Sequence, residues 1–176
     1  CPVWTVDGVD RLWMRDEELH VCADVAYGVM TYVTATGDVD FLTDYGAEIL
    51  FETSRFWVDR MTRDPDTGRF HLLTVMGPDE FHIHVDDNAF TNGLARWHLD
   101  QAVAVHHRLR AEQPAALAAL AARIGLEPAE VEDWERGAAG LVELSDHDSG
   151  VVEQFSGYFG LDDVPITYWD ENAMPQ

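Results

Sequence analysis

Residues 19–61 read LHVCADVAYGVMTYVTATGDVDFLTDYGAEILFETSRFWVDRM, and this stretch decides the fold. Over residues 19–36 the apolar positions Val21, Val25, Val29 and Tyr32 recur at helical spacing. Gly37 is a natural stop, because a residue without a Cβ accepts the left-handed conformation that ends helices. Asp38 can cap a second helix over residues 39–61, where Phe41, Tyr45, Ile49, Phe56 and Trp57 mark the expected buried stripe. A link as short as Thr36-Gly37-Asp38 makes the two helices antiparallel neighbours. The unit is an αα-hairpin, and an all-α fold is expected to follow from it.

Toward the N-terminus, residues 1–16 read as loop, with Trp4 and Trp13 scattered among Asp7, Gly8, Asp10 and Asp16. On the other side, Asp64-Pro65-Asp66-Thr67-Gly68 is a turn. Residues 69–76 follow as a strand by their β-branched and aromatic content. Gly77-Pro78 ends that run, since proline bars a regular continuation. Asn88 can cap a long helix over 89–110, with Leu94, Trp97, Val105 and Leu109 on its core side. Pro114 opens an Ala-rich helix ending at Gly125, and Pro128 sits one residue inside a further helix running to about Leu144. Residues 145–150 read as a turn and 151–159 as extended.

With 176 residues, 47% of them hydrophobic, the chain is long enough for one domain with a real core. Eleven basic against 33 acidic residues leave a formal charge of −22, which repels phosphate backbones and anionic lipid. No nucleic-acid partner and no membrane surface is therefore expected. The acidic residues are scattered, the pattern of a solvated surface. Two cysteines, Cys1 and Cys22, make no disulfide framework. No run of about eighteen apolar residues occurs.

The chemistry concentrates just after the strand. Residues 77–92, GPDEFHIHVDDNAFTN, pack Asp79, Glu80, His82, His84, Asp86, Asp87 and Asn88 behind a Gly-Pro turn. A strand that stops there and then presents carboxylates and imidazoles is a common way to hold catalytic groups at a cavity mouth. Glu80 lies between Asp79 and the apolar Phe81, two neighbours that disfavour ionisation, which suits a general acid. Ordinary readings stand beside this one. Glu80 can be a turn carboxylate, and Asn88 a plain helix cap. His20 and Asp24, four apart on one helix face, suit either a structural pair or a pocket lining. His82 and His84 would share a face of an extended segment and, with Asp86 and Asp87 following, could clamp a transition metal, although nothing fixes a third or fourth ligand.

The same residues resemble a known family. GPDEFH followed by VDDNAFTN is similar to the GPDEYH…VDNNxYTN segment of glycoside hydrolase family 65. Residues 18–27, ELHVCADVAY, resemble that family's EIHxxADVAY helix start. Tyr45-Gly46-Ala47-Glu48-Ile49-Leu50 with Arg55-Phe56-Trp57 resembles its next helix, and Glu153-Gln154-Phe155 its EQF segment. The family contains phosphorylases of maltose, trehalose and kojibiose together with acid trehalase-type hydrolases.

The resemblance implies a partial (α/α)6 barrel of antiparallel helix hairpins with short β elements. About five of twelve helices can be counted in this chain, so residues 1–176 are expected to be a fragment of a single catalytic domain. It also implies that Glu80 is the general acid of an inverting cleavage of an α-linked glucose disaccharide. His82 would then order the acid loop, and His84 would be an exposed bystander. Trp13, His20, Cys22, Asp24, His82 and Asn88 become candidate substrate-binding residues, with Glu153 a possible polar partner. No metal and no organic cofactor is expected; inorganic phosphate would be the co-substrate, releasing β-glucose 1-phosphate and glucose. Where Asp86-Asp87-Asn88 stands, the family often reads Asp-Asn-Asn, so a sugar contact at Asp87 is not carried over. The resemblance further implies a cytoplasmic enzyme, homodimeric at full length. Hydrolysis and phosphorolysis stay open on these residues.

Overall fold

The computed structural model describes residues 4–6, 8–145, 149–162, 165 and 167–169. An antiparallel hairpin of β1 (Trp4–Val6) and β2 (Val9–Arg11) opens it, and one helical turn, α1 (Met14–Glu17), follows. The segment expected as loop therefore holds regular structure at residues 4–6, 9–11 and 14–17. Gly8, just before β2, takes φ 75°, a conformation that suits glycine.

Helix α2 (Val21–Thr36) stops at Gly37, which adopts φ 71° and donates its N–H to Val33 O. Asp38 caps the next helix by accepting from Phe41 N. That helix runs as α3 (Val39–Phe41), a π-turn (Leu42–Gly46) and α4 (Ala47–Arg60). The long α5 (Ala89–Glu112) packs against α2, α4, α6 (Pro114–Ile124) and α7 (Pro128–Gly140), and so forms the spine. Arg55 on α4 grips the link between α6 and α7. It makes two hydrogen bonds to Glu130 at 2.6 and 2.9 Å and donates to Ile124 O and Gly125 O. Among the described residues no helix is long and apolar enough to cross a membrane.

The core is formed by Leu42, Leu50, Phe51 and Trp57 against Leu99, Val105, Leu109 and Trp134. Two expected stripes are displaced from it. On α2 the buried positions are Ala23, Ala26 and Val33, while Val21 and Val25 stay 49% and 57% exposed. Small residues let α2 approach its neighbours closely, so the larger apolar side chains face outward. On the next helix Tyr45 is 62% exposed and Leu42, Gly46, Leu50 and Ser54 are buried instead. The π-turn holds an extra residue per turn and shifts the phase of the buried face.

The strand expected over 69–76 is cut short. Only β4 (Phe70–His71) pairs with β3 (Thr62–Arg63), across the turn that ends at Gly68. Thr74 at φ 53° breaks the extended run. Helix α7 ends at Gly140, four residues short of the expected stop. Instead of an extended segment over 151–159, there is an isolated bridge from Val152 to Ser145, then bends and a 3-10 turn (Tyr158–Gly160).

Candidate active site

Between the β-hairpin and α5 the chain makes one closed loop. Val75 and Val85 exchange both backbone hydrogen bonds, at 2.8 and 3.0 Å, and cinch residues 76–84 into a loop with Glu80 near its apex. Below that neck Asp86 accepts from Thr74 N at 2.8 Å, and Asp87 N donates to Leu72 O at 2.9 Å. Asp87 is nearly sealed from solvent. Its Oδ1 accepts from Leu72 N and Asn92 Nδ2, and its Oδ2 meets His71 Nδ1 at 2.6 Å. Thr74, His84 and Asp87, at φ 53°, 57° and 52°, are the non-glycine residues with positive φ among those described. All three lie at this neck. Backbone strain gathered in one place and held by a dense hydrogen-bond set is a mark of a positioned functional loop.

The loop is anchored on two flanks. On one, Asp79 Oδ2 accepts from His82 Nδ1 at 2.5 Å and from Gln154 Nε2 at 2.9 Å, while Oδ1 accepts from Phe81 N. Burial pushes the Asp79 pKa up, but the donors Gln154, His82 and the Phe81 N–H outweigh it and hold the carboxyl below its ordinary value. The His82 ring packs on Phe155 and Tyr158, at 5.2 and 6.1 Å between centroids. On the other flank, the buried Glu17 meets His84 Nδ1 at 2.5 Å and accepts from His84 N, and its own carbonyl accepts from Met76 N. Trp13 stands edge-on to the His84 ring at 4.6 Å. Glu80, half-buried at the turn, is engaged by no hydrogen bond or ion pair among the described residues. Its neighbours are tied down and its carboxylate is left available.

The other expected site residues divide. Trp13 and His82 are brought to the Glu80 loop. Asn88, buried, caps α5 by accepting from Thr91 N, and its amide packs so closely on Gly77 that a Cβ there would stand 2.4 Å away. It thereby joins the helix start to Gly77, just inside the Val75–Val85 neck. His20 is buried beside Phe90, at 5.3 Å between rings, and its Nε2 pairs with Glu18 at 3.5 Å instead of with Asp24. A histidine preceding the first helical residue can turn inward, and Asp24, one turn on, remains exposed. Cys22 packs against the core, where burial raises its thiol pKa. Glu153 accepts from Phe159 N, a turn-closing role. His84 is a second correction: half-exposed as expected, it is a strut to Glu17 and not a bystander.

His82 and His84 engage different carboxylates, Asp79 and Glu17. No three His, Cys, Asp or Glu side chains converge as a metal site among the described residues. A cavity of about 700 Å³, lined by Met61, Arg63, Phe70 and Arg136, lies at the far ends of α4 and α7 and includes no residue of the Glu80 loop. Glu17, Gln154, Phe155 and Tyr158 escaped the sequence reading as supports of the loop. Only Gln154 and Phe155 carried a signal, as part of the EQF resemblance.

The site is thus one unengaged carboxyl near the tip of a braced loop on a domain of helix hairpins. The chain matches the Glycosyl hydrolase family 65 central catalytic domain over residues 3–175. It is 41% identical to a kojibiose phosphorylase of Caldanaerobacter subterraneus subsp. tengcongensis, over 94% of this chain and 21% of that one. It is 33% identical to an alpha,alpha-trehalose phosphorylase of Thermoanaerobacter brockii, over 90% of this chain and 20% of that one. A solved structure titled a putative kojibiose phosphorylase from human microbiome superposes with a TM-score of 0.76 at 26% identity, over 88% of this chain and 22% of that one. The chain belongs to glycosyl hydrolase family 65. It spans about a fifth of the length of the curated relatives it matches. The all-α fold expected from the sequence, part of an (α/α)6 barrel of helix hairpins with short β elements, is the one observed.

Proposed function

We propose that this chain carries the general acid of an inverting disaccharide phosphorylase, as part of a single (α/α)6-barrel catalytic domain. The observation that carries the reading is the contrast at the loop apex: Asp79, His82 and His84 are all engaged, and Glu80 alone offers an unengaged carboxyl. In the reaction Glu80 gives its proton to the bridging oxygen as the C1–O bond breaks. A phosphate oxygen attacks C1 from the opposite face, so β-glucose 1-phosphate forms and glucose leaves carrying the proton. Glu80 then takes up a proton again from solvent. Phosphate is already anionic and needs no carboxylate base, so one protein acid suffices. The phosphorylases among the relatives support this choice over hydrolysis, and kojibiose or trehalose is the natural first substrate to try. Trp13, His82 and Asn88 are the contributors to the sugar site that this reading favours, with His20 and Cys22 behind them. The homodimer and cytoplasmic location implied by the resemblance are part of the same proposal for the full-length enzyme.

The test is Glu80→Gln in the full-length enzyme. The amide keeps size and polarity but has no transferable proton. Turnover of the disaccharide should fall by roughly 10²–10⁴-fold, in kcat more than in KM. A glucosyl fluoride needs little protonation and should be partly spared. Near-normal disaccharide turnover in this variant would remove Glu80 from the chemistry.

A further inference from the structure

We propose that Gln154 is a positioning residue for the acid: resting on the assignment of Glu80 as that acid, its side-chain amide sets where Glu80 stands. Gln154 donates into the acid loop from outside it, at 2.9 Å from Asp79 Oδ2. Asp79 directly precedes Glu80, so a displacement of the first is transmitted to the second. The segment around Gln154 is itself fastened to the base of the loop. Gln154 O accepts from Ala89 N, the first residue of α5, and Ser156 N donates to Asp86 O. Phe155 is buried and backs the His82 ring, whose Nδ1 supplies the other hydrogen bond to the same Asp79 oxygen. Residues 153–159 thus form a clasp, and Gln154 is its point of contact one residue from the acid.

A clasp of this kind acts on geometry and not on charge. Gln154 is neutral and is assigned no contact with the sugar. Its loss leaves Asp79 held by His82 Nδ1 and Phe81 N, both within the loop, so this carboxylate keeps no hydrogen bond to the rest of the domain among the described residues. Misplacement of a catalytic group by about 1 Å can cost on the order of 10²-fold.

The experiment replaces Gln154 in the full-length enzyme with Met, which keeps length and packing but removes the donor, and separately with Ala. Both variants should lose about 10–100-fold in kcat on the disaccharide with KM little changed. Glucosyl fluoride turnover should fall much less, because only proton delivery is impaired. The unfolding midpoint, read on the same samples, should move little in the Met variant. Equal losses on the two substrates, or none on either, would overturn the positioning role. Glu80→Gln in parallel separates the two ideas. If it keeps disaccharide turnover, the acid assignment falls; if it is crippled while Gln154→Met is not, the acid stands and the clasp falls.

Discussion

Asp87 carries a heavy share of the hydrogen bonding at the neck of the acid loop. Its carboxylate is buried, accepts from Leu72 N and Asn92 Nδ2, and meets His71. Asp87→Ala strands all three partners and puts a β-carbon residue at φ 52° without the local bonding that Asp enjoys there. It should cost about 3 kcal/mol in urea unfolding. Asp87→Asn, which tolerates the same backbone and whose Oδ1 can still accept from Leu72 N and Asn92 Nδ2, should cost clearly less. His84→Ala tests the other strut. It removes a partner from buried Glu17 and should lower stability by roughly 1–3 kcal/mol. Disaccharide kcat should change far less than in Glu80→Gln, since His84 is assigned no chemical step; a larger kinetic loss at His84 would invert the roles of the two residues. At this scale the sequence was legible only where a motif spoke. Glu80 stood out by its surroundings, whereas nothing local distinguished Asp87 from Asp86. The Glu17–His84 contact joins residues 67 apart, a separation no periodicity reports.

The helices were legible through their ends. Gly37, Asp38, Asn88, Pro114, Gly125 and Pro128 each stand where the chain starts or stops a helix, because the unpaired groups of a helix terminus demand particular residues. Faces were less legible. Val21 and Val25 announce an apolar stripe that the fold turns outward, and one π-turn rotates the stripe after Leu42. Thr74 looks like a strand residue and is forced out of the strand region by the neck below it. The cap of α5 offers a sharp test. Asn88→Ala should cost about 1 kcal/mol as a lost cap. Gly77→Ala should cost about 1–3 kcal/mol, since its new Cβ lands on the Asn88 side chain. If the clash is the cause, the two costs should not add: Gly77→Ala in an Asn88→Ala background should be nearly silent in a double-mutant unfolding cycle. Additive costs would place the Gly77 strain elsewhere.

The molecule as a whole should lose stability to acid in two stages. His98 lies fully buried in the core, its Nε2–H donating to Leu50 O and standing 2.9 Å from Thr53 Oγ1. Burial lowers its pKa below the ordinary 6.5, and burial with His107 and Arg110 lowers that of His106. Such a base stays neutral in the fold while the unfolded chain takes up the proton. Its contribution is therefore complete above about pH 6.5 and declines as pH falls below that value. Asp79 and Glu130 are held low instead, so their contribution persists until about pH 4 and is lost beneath it. Unfolding midpoints should fall first between about pH 6.5 and 5, and His98→Gln should flatten part of that first slope. The outward apolar residues of α2 and the exposed Tyr45, Phe81 and Phe90 predict that residues 1–176 alone bind a hydrophobic dye and turn over no disaccharide. Measurable phosphorolysis by this piece would overturn that view. The bond from Gln154 to Asp79 spans 75 residues of chain, and this has a meaning for biosynthesis. At roughly 5–20 residues per second, the ribosome delivers Gln154 several seconds after the acid loop has emerged. Helical hairpins form in microseconds, so α2, α4 and α5 can already be in place while the loop waits for its clasp. If Gln154 positions Glu80 as proposed, a stall just before Gln154 would leave the helices α2, α4 and α5 made and the Asp79 side of the loop unfastened.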